Sequence, residues 1–428
     1  MLKVYKKCRV CKCELHDIVE YGDFAVVGYM SDDENKLYAK RKSPLTLCRC
    51  DPSSDENACG LVQLRHSLPV ELLYVDYYYR SSINPSMVQH LDEIVQRAID
   101  LNGGDVSDIR VVDIGCNDGA LIKSCIDRGI NRSNITGFDP AKNLAKHSRL
   151  TGATIYSSIF DTSVVKDFKK FDKDAIFSIA MFYDLNDPLD FVRQIADCLS
   201  EKGIWVNEQL YLPEMIKNTA FDSICHEHVT YFSLSTFKNI LDQFGLEIID
   251  VHVNGVNGGS FQTYVSRKGA YEVEDAAFVK INSMLIDEFD LKMDTGDIYK
   301  EFSDNVDVNL NRVADFVRSE LDAGKKIIYY GASTKGAITV QTKPAFAEIN
   351  LCADRNAEKY GLTINGTSIN IISEAEARAL NPDYFFVLPW HFIDGFVERE
   401  KEFLDSGGKL IVPMPEARII GASGVEEI

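Results

Sequence analysis

Between residues 105 and 268 the apolar positions switch repeatedly between two periods. Arg110-Val111-Val112-Asp113 has the composition of a buried strand. Leu121, Ile122, Cys125 and Ile126 then mark one face of a helix, stopped by Gly129. Ile135-Thr136-Gly137-Phe138-Asp139 and Ala175-Ile176-Phe177-Ser178-Ile179-Ala180 repeat the strand signal. Asp187 and Pro188 read as the cap and first residue of a helix striped by Val192, Ile195, Ala196 and Leu199. Gly203-Ile204-Trp205-Val206 adds a further strand. Repeated β-α units of this kind predict an α/β fold, a parallel sheet covered on both faces.

A helix is predicted over Pro85–Leu101, with Met87, Leu91, Ile94, Val95 and Ala98 on one side. The stretch 270–322 reads mostly as helix, with Val313, Phe316, Val317 and Leu321 on one face. A second α/β run follows, with strands at Lys326–Tyr330, Ile349–Asp354, Tyr384–Leu388 and Lys409–Val412. The expected organisation is a Cys-rich head (1–66), a tyrosine-rich connector and helix (67–104), a first Rossmann-like domain (105–268), a helical connector (269–322) and a second Rossmann-like domain (323–428).

Length and charge narrow the functional classes. At 428 residues the chain exceeds one ordinary core. Its net charge of −19 opposes nucleic acid and anionic lipid. Lys40-Arg41-Lys42 is the densest basic triplet and reads as solvated surface. No apolar run follows the basic residues Met1–Lys7, and none approaches the roughly 20 residues that cross a bilayer. The expectation is a cytoplasmic protein with reduced thiols and a small-molecule substrate, a monomer or small homo-oligomer with no nucleic-acid or membrane partner.

Six of the 11 cysteines crowd the head: Cys8, Cys11, Cys13, Cys48, Cys50 and Cys59. In a reducing compartment such crowding reads as metal binding. Cys8 and Cys11 form a knuckle. The second pair of a closed, structural zinc site is assigned to Cys48 and Cys59, with Cys50 the nearest substitute. Free thiols are the alternative.

The strand ending in Asp113 runs into Gly115-Cys116-Asn117-Asp118-Gly119 and then a helix. Glycines let the backbone turn tightly and approach a ligand, and the helix start supplies unpaired N–H groups. Asp139 ends the next strand, where it can accept from two ribose hydroxyls. This Gly-x-x-x-Gly spacing suits S-adenosylmethionine better than a dinucleotide. Candidate donor-binding residues are Asp113, Gly115, Cys116, Asn117, Gly119, Asp139, Pro140 and Met181. A ligand-free turn is the alternative.

His226-Glu227-His228 places three titratable groups on a loop before a helix. A histidine titrates near neutrality, and a neighbouring carboxylate can orient it. His-Glu-x-x-His is absent, which disfavours a zinc protease.

Together these runs resemble the sugar C-methyltransferases of deoxysugar biosynthesis, which act on nucleotide-linked keto sugars. The resemblance spans nearly the whole length. It includes Cys59-Gly60-Leu61-Val62-Gln63, the Tyr-x-Tyr-x-Ser-Ser run at Tyr77 to Ser82, Asp113 to Gly119, and Ala180-Met181-Phe182-Tyr183-Asp184-Leu185. It continues through the His-Glu-His stretch, Gly258-Gly259-Ser260 and Gly331-Ala332-Ser333-Thr334-Lys335-Gly336. It implies a structural zinc in the head, S-adenosylmethionine in the middle domain, and a tail that helps hold the sugar nucleotide. The family's proposed base falls on His228, assisted by Glu227, with Tyr79 or Tyr77 facing the sugar and His226 a further candidate. Tyr183, Asn257, Ser333 and Lys335 are the substrate-side candidates. Cys225 stands where some relatives carry tyrosine, and the second Cys pair is split by an insert.

The residues alone leave other readings open. O-methylation needs a base too. Gly331-x4-Gly336 with Asp354 approximates a dinucleotide fingerprint without its middle glycine, so an NAD-dependent oxidoreductase is a rival. A phosphate-contacting loop, with Ser333 and Lys335 toward a diphosphate, is preferred to that dinucleotide site, and a purely structural second sheet is its alternative. The non-enzymatic rival is a zinc-ribbon adaptor.

Overall fold

A computed structural model describes residues 2–26, 30–31, 42–74, 77–163 and 172–428. Lys40 and Arg41 of the basic triplet, and Val75 and Asp76 of the connector, lie outside them. The head is built on β1 (Leu15–Ala25), β2 (Lys42–Cys50) and β3 (Val62–Leu64). The connector leads into α1 (Pro85–Asn102), whose buried residues are Met87, Leu91, Ile94, Val95 and Ala98, the face the spacing predicts.

The first large sheet follows. Its strands are β4 (Val111–Ile114), β5 (Ile135–Phe138), β6 (Thr154–Tyr156), β7 (Lys173–Ile179) and β8 (Leu199–Leu210). Between β4 and β5 lies α2 (Ala120–Asp127). Between β7 and β8 lies α3 (Pro188–Cys198), where the Asp187 side chain accepts from the Asp190 N–H as cap. β9 (Thr230–Tyr231), α4 (Leu234–Asp242), β10 (Leu246–Asn254) and β11 (Ser260–Arg267) complete this part. The order across the sheet is β10-β11-β8-β7-β4-β5-β6. From β8 to β6 neighbours are parallel, whereas β11 pairs antiparallel with β8 and β10. The expected all-parallel sheet is therefore mixed. β10 and β11 are joined by a short turn at Val256–Gly258, and only antiparallel strands can be joined so closely.

Two long helices, α5 (Asp275–Asp290) and α6 (Asp297–Asp322), occupy the helical connector. The second sheet has as its centre β12 (Ile327–Tyr330), β13 (Leu351–Asp354), β14 (Asn370–Ser373), β15 (Tyr384–Val387) and β16 (Lys409–Val412). They are parallel in the order β16-β15-β12-β13-β14. Among the described residues no helix is long and apolar enough to cross a membrane.

Both sheets change direction at their first strand. β4 lies between β5 and β7, and β12 lies between β13 and β15. Open α/β sheets bind ligands at the carboxyl ends of strands where the order reverses. Here the two reversal points open into one cavity.

The head does not stand apart. β9 pairs with β3, Thr230 opposite Gln63 and Tyr231 opposite Val62, so a strand from the connection between β8 and β10 completes the head's own sheet. Met30–Ser31 pairs with Thr363–Ile364 at the edge of the second sheet.

Candidate functional site

The loop after β4 turns on three positive-φ residues: Gly115 (φ 76°), Asn117 (φ 50°) and Gly119 (φ 87°). The Gly115 N–H donates to the Phe138 carbonyl at 2.8 Å, which fixes the loop against β5. A Cβ at Gly119 would lie 3.0 Å from the Ser148 Cα, so backbone conformation and space both demand glycine. Gly119→Ala is expected to destabilise the protein by about 1–3 kcal/mol, read as a lower Tm.

Asp139 accepts from the Asn117 and Ala141 backbone N–H groups, each at 2.8 Å. Burial pushes its carboxyl up, opposed by those two bonds. Burial, and then Asp139, push Asp113 up to about 8, and its Oδ2 is buried with no hydrogen-bond partner among the described residues. Cys116 packs under the sheet, its Sγ 2.9 Å from where a Cβ on Gly137 would stand. Met181 lies against the loop, its Cγ 3.2 Å from the equivalent point on Gly115. Cys116, Asn117, Asp139, Pro140 and Met181 all line the cavity. An acid placed for ribose hydroxyls and an orphaned acid placed for an ammonium fit an amino-acid-bearing nucleoside such as S-adenosylmethionine.

The tyrosine-rich connector is tied onto this loop. The Asn117 Nδ2 donates to the Tyr79 carbonyl (3.0 Å), and its Oδ1 accepts from the Ser81 N–H (3.2 Å). Asp118 accepts from Ser82 and from Arg80. Asn143 exchanges two bonds with the Tyr77 backbone, at 2.8 and 3.0 Å. Tyr74, Tyr77, Tyr78 and Tyr79 consequently line the cavity beside the donor loop.

His228 is buried in the wall of the same cavity. Its Nδ1 donates to the Ser223 carbonyl at 2.8 Å, which leaves Nε2 with the lone pair. Its ring centroid lies 4.3 Å from that of Tyr183. Burial, helped by the Lys335 charge, pushes the imidazole down to about 3. Ligand atoms of Cys225, Glu227 and His228 lie within 4.8 Å of one another. Burial pushes Glu227 up to about 8, opposed by the Tyr77 hydroxyl.

His226 is a correction. Its Nε2 donates to the Ser43 carbonyl of the head at 3.1 Å, and it is absent from the cavity wall. It joins the loop to β2 instead of facing a substrate. Ser333 needs a similar correction. Its Oγ accepts from the Gly336 N–H at 2.9 Å, capping α7 (Thr334–Thr339), so the hydroxyl has a structural task though the residue lines the cavity. Lys335 does not extend into open space as a free phosphate ligand. Its Nζ donates to the Ser223 Oγ (2.9 Å) and to the Asn257 carbonyl, bolting the second sheet to the first. Asn257 presents that carbonyl from a positive φ of 54°, and Gly258 beside it lies against Trp390, where a Cβ would come within 2.9 Å of the ring.

The acid after β13 repeats the geometry of Asp139. Asp354 accepts from the Ala332 and Asn356 N–H groups at 2.8 Å each. Lys359 also donates to it, at 3.2 Å. That ammonium occupies the acid which a dinucleotide ribose would require, which weighs against an NAD site in the tail. Arg355, Lys359 and Arg399 line the tail side of the cavity beside Asp354, Glu374, Asp394 and Glu398, with Lys359 paired to Asp354 and both arginines beside Glu374.

In the head, Cys8, Cys11, Cys50 and Cys59 converge, all four Sγ atoms within 4.8 Å of one another. The Cys8–Cys59 and Cys50–Cys59 separations are 3.7 and 3.6 Å. A tetrahedron with Zn–S bonds of about 2.3 Å has edges of about 3.8 Å, so this set fits zinc. Cys48 is the correction: Cys50 takes its place. Cys48 lies two residues back along β2, and its Sγ donates to the Gln63 carbonyl at 3.3 Å. Burial pushes its thiol up to about 12.

The cavity, about 1180 Å³, is larger than a single drug-sized ligand requires. Sequence reasoning missed several of its residues. Tyr74, Asp184, Glu208 and His391 line it or donate into its wall. Asp184 belongs to a run singled out above, but a lone acid within an apolar stretch carries no signal of its neighbours.

Comparisons with known proteins agree in kind. Residues 87–251 match a family model described as a methyltransferase domain, and residues 255–415 match one described as a C-methyltransferase C-terminal domain. The chain is 30% identical to C-methyltransferase NovU of Streptomyces niveus over 421 residues, 97% of each protein. Among solved structures, magnesium protoporphyrin IX methyltransferase from Synechocystis is 14% identical, with a TM-score of 0.35 over 45% of this chain and 90% of that one. A methyltransferase from Clostridium acetobutylicum is 12% identical, with a TM-score of 0.35 over 42% and 92%.

Proposed function

The chain belongs to the S-adenosylmethionine-dependent C-methyltransferases, and from that premise we propose that it methylates a nucleotide-linked keto deoxysugar at the carbon beside its carbonyl. The observation that carries this reading is the single cavity into which both sheets open, with the His228 ring on its wall. The donor crevice supplies one end. The tail supplies the other end, where Arg355, Lys359 and Arg399, now beside Glu374 and Asp354, are the groups a diphosphate would draw on. In this reading residues 1–66 are structural, 105–268 hold the donor and 323–428 hold the nucleotide.

A carbon next to a ketone becomes acidic enough for an enzymatic base when the enolate oxygen is stabilised. His228 Nε2 takes that proton. Lys335, a positive charge close enough to depress His228, favours the enolate's negative charge. The enolate carbon then bonds to the methyl group as the C–S bond breaks, the carbonyl re-forms, and His228 later gives its proton to solvent. The bound sulfonium supplies an electrophilic methyl group; the chain supplies alignment, which accounts for much of the acceleration. Tyr79 and Tyr77 face the sugar from the connector.

Incubation with S-adenosylmethionine and a panel of nucleotide keto sugars tests the reading. A product heavier by one CH₂, with the new carbon on carbon, is expected. With S-adenosylhomocysteine in place of the donor and deuterated water as solvent, deuterium should enter the carbon beside the ketone. An oxygen-linked methyl group, or no deuterium, would overturn the enolate route.

Asp139→Ala should weaken donor binding by roughly 1.5–3 kcal/mol, about 10–150-fold in Kd, measured by calorimetry. Unchanged affinity would remove the ribose assignment.

A further inference from the structure

Cys225, Glu227 and His228 stand on one tight turn. The His228 N–H donates to the Cys225 carbonyl at 3.1 Å, which draws the first and last residues of the turn together. The Tyr74 hydroxyl donates to the Glu227 carbonyl at 3.3 Å, and the Val229 N–H donates to the Tyr183 carbonyl at 2.9 Å. One side-chain ligand atom from each of the three residues lies within 4.8 Å of the other two. All three residues are buried, Glu227 to 2% exposure, yet Glu227 and His228 line the cavity, so an ion can reach them.

Three features of this cluster suit a metal ion. Glu227 Oε1 is buried without a hydrogen-bond partner among the described residues, a deficit native interiors seldom leave. His228 Nδ1 donates to the Ser223 carbonyl at 2.8 Å, the way a ligating histidine disposes of its other ring N–H, and Nε2 keeps its lone pair. The donor set also balances charge. One thiolate and one carboxylate cancel a divalent cation, which a dry wall requires where the Lys335 ammonium is already bound to Ser223. Thiolate, imidazole and carboxylate together select zinc over magnesium or calcium. Zinc bonds of about 2.0–2.3 Å set tetrahedral ligands about 3.3–3.6 Å apart. Starting from 4.8 Å or less, side-chain shifts of at most about 1.5 Å close the site.

We propose that Cys225 Sγ, a Glu227 carboxylate oxygen and His228 Nε2 form a second zinc site in the cavity wall, apart from the tetrathiolate of the head, and that zinc bound there shuts the enzyme off. The thiol and carboxyl protons leave to solvent as the metal binds. Three protein ligands leave one position for a cavity water and hold the ion less firmly than the four thiolates of the head. Dialysed protein therefore keeps one zinc per chain, and the second site fills as metal is added. The shut-off rests on the reading of His228 as the base: the lone pair that takes the substrate's proton is the one given to the metal. Cys225 makes this a property of the present chain, because the tyrosine that some relatives carry there removes the sulfur.

Cobalt(II), a coloured stand-in for zinc, tests the site in the full-length protein with zinc in its head. A second equivalent of metal should bind and give a thiolate-to-cobalt charge-transfer band in the near ultraviolet. Cys225→Ala and Cys225→Ser should lack that band, whereas cobalt exchanged into the head would colour all three proteins alike. With zinc added to saturation, wild-type methyl transfer should fall about 10²–10⁴-fold, the range removed with a general base. Cys225→Ser should keep its metal-free turnover and its S-adenosylmethionine affinity. Its inhibiting zinc concentration should rise at least about 10–100-fold, which is what losing even an outer partner of a metal ligand costs. If both Cys225 variants lose metal-free turnover, the cobalt band still decides, because it needs no activity. Identical cobalt spectra for wild type and Cys225→Ala would overturn the site and leave the base reading untouched. A Cys225-dependent band with undiminished or increased turnover would keep the site and overturn both the shut-off and the base.

Discussion

His228→Ala binds S-adenosylmethionine as tightly as the wild type and turns over about 10²–10⁴-fold more slowly, the range removed with a general base. The two halves of this expectation have different origins. In the proposed reading donor affinity resides in the loop from Gly115 to Gly119 and in Asp139, whose hydrogen bonds among the described residues do not involve the imidazole. In the proposed mechanism turnover depends on Nε2, the ring nitrogen left with a lone pair after Nδ1 donates to the Ser223 carbonyl. The substitution also leaves that carbonyl without its donor, at a cost of about 1–3 kcal/mol, so Tm should fall modestly while the fold persists. Deuterium entry into the substrate, which precedes methyl transfer, should disappear with turnover. Retained exchange in His228→Ala would move the base elsewhere in the cavity, with His391 on the tail side the next imidazole to examine.

Much of the fold was legible because local rules and tertiary packing agree. Asp187 caps α3 and Pro188 opens it; Gly115 and Gly119 adopt the positive φ that the loop demands. The five buried positions predicted for α1 are the ones the helix buries. Local rules ran out where partners are distant in sequence. Cys48 and Cys50 both lie on β2 and are both buried, so spacing cannot say which one meets the knuckle. That depends on how far β2 runs past β3. His226 and His228 look equivalent in sequence, yet one reaches the Ser43 carbonyl 183 residues away and the other faces the cavity.

That dependence of the site on remote chain segments gives the second large effect. With zinc proposed at Cys8, Cys11, Cys50 and Cys59, its removal by chelation or by Cys59→Ser is expected to abolish most methyl transfer, although a closed tetrathiolate site has no open position for chemistry. The route is mechanical. Gln63 and Val62 of β3 pair with Thr230 and Tyr231 immediately after His228, the Leu64 N–H donates to the Val229 carbonyl at 3.0 Å, and His226 hangs from Ser43 on β2. The ion contributes on the order of 10 kcal/mol where a small head cannot fold without it, as much as the whole stability of a typical domain. Without it β2 and β3 lose their anchor, and the loop that carries Glu227 and His228 loses the strand it completes. Among the described residues the donor crevice shares no hydrogen bond with the head's thiols, so S-adenosylmethionine affinity should change far less than kcat. Cys48→Ser separates metal from packing: its thiol serves the Gln63 carbonyl, so that variant should keep one zinc per chain and most of its activity. A metal-free Cys59→Ser protein with wild-type turnover would show that the loop stands by itself, and the mechanical link would fall.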